Sequence, residues 1–247
     1  MIVRTLELSD YRNYASLKIG FDPGTNVIFG DNAQGKTNLL EAVYECAVAR
    51  SHRGSKDREI IRFGCEEAHI RLIAEKGERP VRIDLHLRKN KPKGAAVDGV
   101  PIHRVSELFG VLHVVFFSPE DLKIIKNSPQ ERRRFIDEEL CQLDRVYTAD
   151  LLSYNRALAQ RANLLRFPRE EKEYYALIDV WDEQLVRYGR AVMQERERFI
   201  QEIDALSETL HKELTGEKET LHLIYSPSAF AEQYEEKLFI SRDLDIR

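Results

Sequence analysis

The chain has 247 residues, 43% hydrophobic and 32% charged, enough for one large domain or two smaller ones with sizeable cores and long exposed helices. The formal net charge of −4 excludes a global basic footprint. Residues 1–120 hold 18 Lys/Arg against 16 Asp/Glu, and residues 121–247 hold 20 against 26, so the first half is the better place for polyanion contacts. Cys46, Cys65 and Cys141 are isolated, in no C-x-x-C or Cys/His cluster that would suggest zinc, and read as reduced thiols of a cytoplasmic protein. No apolar run approaches the ~18 residues of a membrane span, and the charged, alternating residues 1–8 read as a strand rather than a signal peptide.

In chain order, residues 2–8 and 16–21 read as strands, followed by an Asp22-Pro23-Gly24 turn. Residues 26–29 (Asn-Val-Ile-Phe) read as a short buried strand. Next comes Gly30-Asp31-Asn32-Ala33-Gln34-Gly35-Lys36-Thr37, which fits the phosphate-loop pattern G-x-x-x-x-G-K-[ST], and then a helix running to about Arg50. Strand, Gly-rich turn and helix together are the context the motif requires. The glycines let backbone N–H groups approach phosphate oxygens, and the helix N-terminus adds unpaired donors and partial positive charge. Lys36 is expected to reach the β- and γ-phosphates and the Thr37 hydroxyl to ligate Mg²⁺.

Residues 67–75 and 80–88 alternate and read as an antiparallel pair around Gly77. Residues 97–102 read as a hairpin with an Asp98-Gly99 turn. Residues 111–117 form a continuous apolar run, hence a buried strand. The first ~120 residues therefore combine an antiparallel β layer with a phosphate-loop α/β layer. Ser118-Pro119-Glu120-Asp121 and Ser128-Pro129-Gln130-Glu131 both read as helix starts. From there to about Leu214 the chain reads as helical. Leu140, Leu143, Tyr147, Leu151, Tyr154, Leu158, Ala162 and Leu165 step by threes and fours. After an interruption at Phe167-Pro168-Arg169, Ile178, Trp181, Leu185, Tyr188, Val192, Glu195, Phe199, Ile203, Leu206 and Leu210 continue a near-heptad pattern. This predicts either an antiparallel helical hairpin, whose second helix of some 40 residues would be about 60 Å long, or a bundle with a kinked helix. Residues 221–225 read as a strand after a helix end at Gly216, Ser228 opens a last amphipathic helix, and residues 240–247 carry no clear element.

Arg50, Arg53, Lys56, Arg58 and Arg62 follow the phosphate-loop helix, and Arg79, Arg82, Arg88, Lys89, Lys91 and Lys93 decorate the 67–93 region. Such clusters suit nucleic-acid backbone contact, although each also suits a solvated face. Neither has the aromatic interleaving of a base-stacking surface, so little sequence reading is expected. Arg132-Arg133-Arg134 lies among Glu131, Asp137, Glu138 and Glu139 and can pair with them on a helix. A Walker B site, four apolar residues followed by an acid, has no good match. Residues 114–117 are followed by Ser118-Pro119, and Val81-Arg82-Ile83-Asp84-Leu85 carries a charge within the run. A signature motif has only a faint echo at Leu214-Thr215-Gly216-Glu217-Lys218. The chain reads as a truncated chain or fragment that grips nucleotide without the residues to hydrolyse it.

Three segments in order carry a resemblance along essentially the whole chain. They are Leu6-Glu7-Leu8-Ser9-Asp10-Tyr11-Arg12-Asn13-Tyr14, the loop in its G-x-N-x-x-G-K-T form with Asn32, and Phe117-Ser118-Pro119-Glu120-Asp121-Leu122 followed by Ser128-Pro129 and Arg132-Arg133-Arg134-Phe135-Ile136-Asp137. The sequence resembles the RecF family of bacterial DNA-repair proteins, grouped with SMC-type ATPases whose heads are similar to ABC ATPases. The resemblance implies an α/β P-loop ABC-ATPase-like head (residues 1–118), an inserted helical or coiled-coil arm (119–216) and a return toward the head (217–247). It implies ATP and Mg²⁺ as cofactors, ATP-dependent head-to-head homodimers, weak ATPase activity only as the full-length dimer, and no membrane. It further implies sequence-nonspecific binding to duplex or gap DNA in replication, DNA-damage repair and the SOS response, with RecR and RecO helping RecA loading. Carried over by position, Gly30, Asn32, Ala33, Gln34, Gly35, Lys36, Thr37 and Asn38 form the nucleotide site, with Thr37 on the metal, Asn32 near the γ-phosphate and Arg12 beside the nucleotide. The alternative reading of Arg12 is a turn residue capping the first hairpin. The DNA-contact candidates are Arg50, Arg53, Lys56, Arg58, Arg62, Arg82, Lys89 and Lys91. The Q-loop glutamine has no clear match; Glu120 faces Mg²⁺ or water there, or serves a helix N-terminus. The rival readings are a small-molecule P-loop phosphotransferase and a nucleotide-binding scaffold without turnover.

Overall fold

The computed structural model describes residues 1–77, 79–126, 128–166 and 172–246. The chain divides into two compact units, residues 1–132 and 133–247.

The first unit is built on a six-stranded antiparallel sheet of order β2-β1-β3-β4-β5-β6, with β1 Ile2–Tyr11, β2 Tyr14–Gly20, β3 Glu67–Lys76, β4 Arg79–Arg88, β5 Gly94–Val97 and β6 Val100–Pro101. Alternation gives the sheet one apolar face: Leu6, Leu8, Ile70, Leu72, Ile83, Leu85 and Leu87 are all buried. Helix α1, Lys36–Val48, covers that face with Leu39, Ala42, Cys46, Ala47 and Val48. Each fully buried Leu, Ile or Val contributes roughly 1.5–3 kcal/mol of burial, and each alanine methyl about 0.8 kcal/mol. The expected 67–75 and 80–88 pair is present, as is the Asp98-Gly99 turn, whose two positive φ angles of 52° and 82° match the twist of a two-residue hairpin.

Three expected strands are not formed. Residues 26–29 and 111–117 belong to no strand of the sheet, the second run carrying one isolated bridge from Leu112 to Phe109; Ile28, Val114 and Phe116 pack on the core while Val27, Phe29, Val115 and Phe117 face outward. Alternation in burial is present without a partner strand to hydrogen-bond. Residues 221–225 likewise form no strand, and the Leu223 N–H donates to Asp204 Oδ1 at 2.5 Å.

Short helix α2 is Asp57–Ile60, and α3, Lys123–Lys126, follows a 3₁₀ turn at Pro119–Leu122. The second unit is helical: α4 Pro129–Leu143, α5 Arg145–Leu165, α6 Lys172–Thr215 and α7 Tyr234–Ile246. The stretch read as one helix from 140 to 165 is two. Asp144 is extended and its carboxylate caps α5 by accepting the Val146 N–H at 2.7 Å. The phase resets there, which leaves Leu143 67% exposed. Tyr147 meets Arg196, Tyr154 meets Gly189, and Arg161 meets Asp182, so α5 and α6 run antiparallel. The interruption expected at 167–169 lies outside the described residues. Helix α6 has 44 residues, about 66 Å at the α-helical rise, and ends at Gly216 with φ 60°. Residues 240–246, read as lacking an element, lie in α7. Among the described residues no helix is long and apolar enough to cross a membrane.

Candidate functional site: the loop before α1

Residues 30–37 turn into α1 through three left-handed backbone positions: Gly30 at φ 143°, Ala33 at 66° and Gly35 at 99°. Gly35 is required on two counts. Its φ suits a residue without Cβ, and a Cβ there would lie 2.6 Å from Asn13 Oδ1 and 2.8 Å from the Tyr14 hydroxyl. The β1–β2 turn is therefore seated directly on the loop. Asn13 Nδ2 donates to the Gln34 carbonyl at 3.1 Å, and Asn38 Nδ2 donates to Asn13 Oδ1 at 2.9 Å. Arg53 donates to Asn38 Oδ1 at 3.2 Å. Ahead of the loop, Asn26 clamps the turn by donating to the Asp22 and Gly24 carbonyls at 2.9 and 3.1 Å.

The Lys36 ammonium folds back into the loop and donates to the carbonyls of Gly30 at 2.8 Å and Asp31 at 2.6 Å. A cation is thus held at the centre of a glycine-shaped ring at a helix N-terminus, an arrangement suited to polyphosphate. Asp31, Asn32, Ala33, Gln34 and Thr37 are all exposed. Gly30, Asn32, Ala33, Gln34, Gly35, Lys36, Thr37 and Asn38 are brought together by the chain itself.

Arg12 is placed differently. It sits in the β1–β2 turn at φ 52° and is held by protein groups. Nε and Nη2 donate to the Glu41 carboxylate at 3.0 and 2.7 Å, Nη2 also donates to Ser55 Oγ at 3.0 Å, and Nη1 donates to the Glu59 carbonyl at 3.0 Å. In this structure it fastens α1 and α2 to the sheet; contact with a nucleotide requires it to leave these acceptors. Glu41 is fully buried. Burial opposes its ionisation, but hydrogen bonds from Arg12 and Ser51 and the charges of Arg12 and Arg53 outweigh it and hold its pKa below the ordinary value. One turn on, Glu45 is fully buried and accepts the Tyr11 hydroxyl at 3.2 Å. Burial, reinforced by Glu41 and opposed by Lys93, raises its pKa to about 8. Sequence reading missed Asn13, Glu41 and Glu45. The available signal was two carboxylates four residues apart on the apolar face of a helix.

The basic candidates do not form one free cationic patch. Arg53 pairs with Glu41 at 3.7 Å, Arg62 with Asp10 at 3.7 Å, Arg82 with Asp84 at 2.9 Å and Lys89 with Glu66 at 2.9 Å. Arg50, Lys56, Arg58 and Lys91 are exposed. The Glu120 side chain lies outside what the structure describes.

A family profile described as an AAA domain matches residues 5–239. The chain is 53% identical over 246 residues to a DNA replication and repair protein RecF of Lachnoclostridium phytofermentans, and 50% identical over 247 residues to one of Agathobacter rectalis. In each case 100% of this chain and 68% of the relative are covered. Two solved structures superpose on it. The recombination mediator RecF-ATPrS of the RecFOR pathway does so with TM-score 0.89 at 31% identity, and the corresponding RecF-ATP structure with 0.90 at 29%. Each match covers 99% of this chain and 68% of the other.

Proposed function

The chain belongs to the RecF family and has its P-loop, ABC-ATPase-like fold with a helical arm, and from that premise we propose that it is an ATP-binding DNA replication and repair protein. The observation that carries this reading is the 30–37 loop, with Lys36 drawn into its centre and Gly35 wedged beneath Asn13 and Tyr14. The residues fit ATP. Loop backbone and Lys36 would hold the phosphates, and Thr37, exposed at the start of α1, would hold Mg²⁺. Gly30, Asn32, Ala33, Gln34 and Asn38 shape the pocket, and Arg12 acts from beneath by anchoring Glu41 on α1. Bound Mg²⁺ would offset phosphate charge. In this reading ATP drives head-to-head dimerisation at single-strand gaps in the cytoplasm, with RecR and RecO as partners in RecA loading.

DNA contact in this proposal is electrostatic and sequence-tolerant, made by Arg50, Arg53, Lys56, Arg58, Arg62, Arg82, Lys89 and Lys91, those engaged within the chain exchanging their partners for phosphate. The test is fluorescence anisotropy of labelled gapped DNA with MgATP over a salt series. Affinity should fall steeply with salt and little with sequence, and the gain on adding MgATP should vanish in Lys36→Ala. ATP-dependent binding that survives in Lys36→Ala, or a salt-insensitive complex, contradicts the proposal.

A further inference from the structure

We propose that Glu67, His69 and His86 form a binding site for a divalent transition-metal ion of the zinc class on the open face of the first unit's sheet. The three donor atoms all lie within 4.8 Å of one another. A tetrahedral ion about 2.1 Å from each donor needs them roughly 3.4 Å apart, so binding requires the directly bonded Glu67 and His86 to part and admit the ion between them.

The placement follows from register. Residues 67 and 69 alternate onto one face of β3, and His69 pairs directly with His86 on β4. The cross-sheet row continues to Ser9 on β1 and Gly94 on β5. Gly94 has no side chain, so the flank of His86 away from His69 stays open, and the row borders a depression of about 480 Å³. The imidazole rings stack with centroids 4.1 Å apart at 21°, and His86 Nε2 bonds Glu67 Oε2. Two imidazoles and a carboxylate on adjoining strands match the donor preference of zinc, and three protein ligands leave a position for water. Nearby cations are engaged elsewhere, Arg71 with Asp84 at 2.6 Å and Arg88 with the Pro92 carbonyl at 2.7 Å. The site is distinct from the 30–37 loop, and no linear cysteine or histidine spacing announces it, because one ligand comes from across the hairpin.

The test is calorimetric titration of the metal-stripped, nucleotide-free chain with ZnCl₂, paralleled by Co²⁺ absorption spectroscopy. One saturable zinc per chain and tetrahedral cobalt bands are expected. His69→Ala and His86→Ala should each weaken zinc at least about tenfold, since losing even an outer-shell partner costs that much, while Cys65→Ser should leave it unchanged. All three targets are partly or fully exposed, and circular dichroism of each variant verifies folding. Absence of saturable binding, or binding retained in the double histidine variant, overturns the proposal.

Discussion

Glu41 and Glu45, one turn apart on α1 and both fully buried, are held in opposite charge states by what faces them. Glu41 meets the guanidinium of Arg12 and stays ionised. Glu45 meets the Tyr11 hydroxyl and keeps its proton up to about pH 8. The unfolded chain releases that proton near its ordinary value of 4.5. Between these values the folded state holds a proton that the unfolded state does not, so stability falls as pH rises through the window. Glu45→Gln preserves an oxygen for Tyr11 and removes the titration. Relative to the parent, the variant should gain about 1–3 kcal/mol of unfolding free energy between roughly pH 5 and pH 8, read by urea denaturation at both pH values. An unchanged difference would mean Glu45 is ionised in the fold. Neither partner was legible from sequence, because Arg12 and Tyr11 reach α1 only once β1 packs against it.

At the scale of elements, patterns that carry their own partner were legible and patterns that need a distant one were not. The β3–β4 hairpin, the Asp98-Gly99 turn and the phosphate-loop helix are local, and all were read from alternation, turn chemistry and spacing. Residues 26–29, 111–117 and 221–225 have strand-like composition, but alternation reports a half-buried backbone rather than a neighbour to bond with. The helical pattern gave α5 and α6 but missed the break at Asp144, since apolar steps of three and four survive a change of phase. Gly189 in mid-α6 went unremarked, yet a Cβ there would lie 2.6 Å from Tyr234 Cε1 and 3.2 Å from Tyr154 Cε2. Alanine normally stabilises a helix interior by about 1 kcal/mol over glycine. Gly189→Ala should instead destabilise the chain by about 1–3 kcal/mol through overpacking, seen as a lower urea midpoint. A higher midpoint would show that the tyrosines yield freely.

At the scale of the whole molecule, the two units use different means of cohesion. The first closes an apolar sheet face with α1. The second ties helices with half-buried ion pairs around a thinner core. Arg196 grips Asp137 at 2.8 and 2.9 Å, and Arg161 joins Asp182 at 2.5 Å to Asp245 at 2.9 Å, linking α5, α6 and α7. The second pattern belongs to long charged helices, as the 32% charged composition implied. The 30–37 motif was legible because its eight residues are contiguous; the groups seating it, Asn13 and Tyr14, come from the β1–β2 hairpin. In the proposed function this loop is a preformed ATP site. Calorimetric titration with MgATP, beside Lys36→Ala of matched helix content, tests it most directly. Saturable binding in the parent and loss of binding in Lys36→Ala is the predicted result; undiminished affinity in the variant, or no binding by the folded parent, would contradict it.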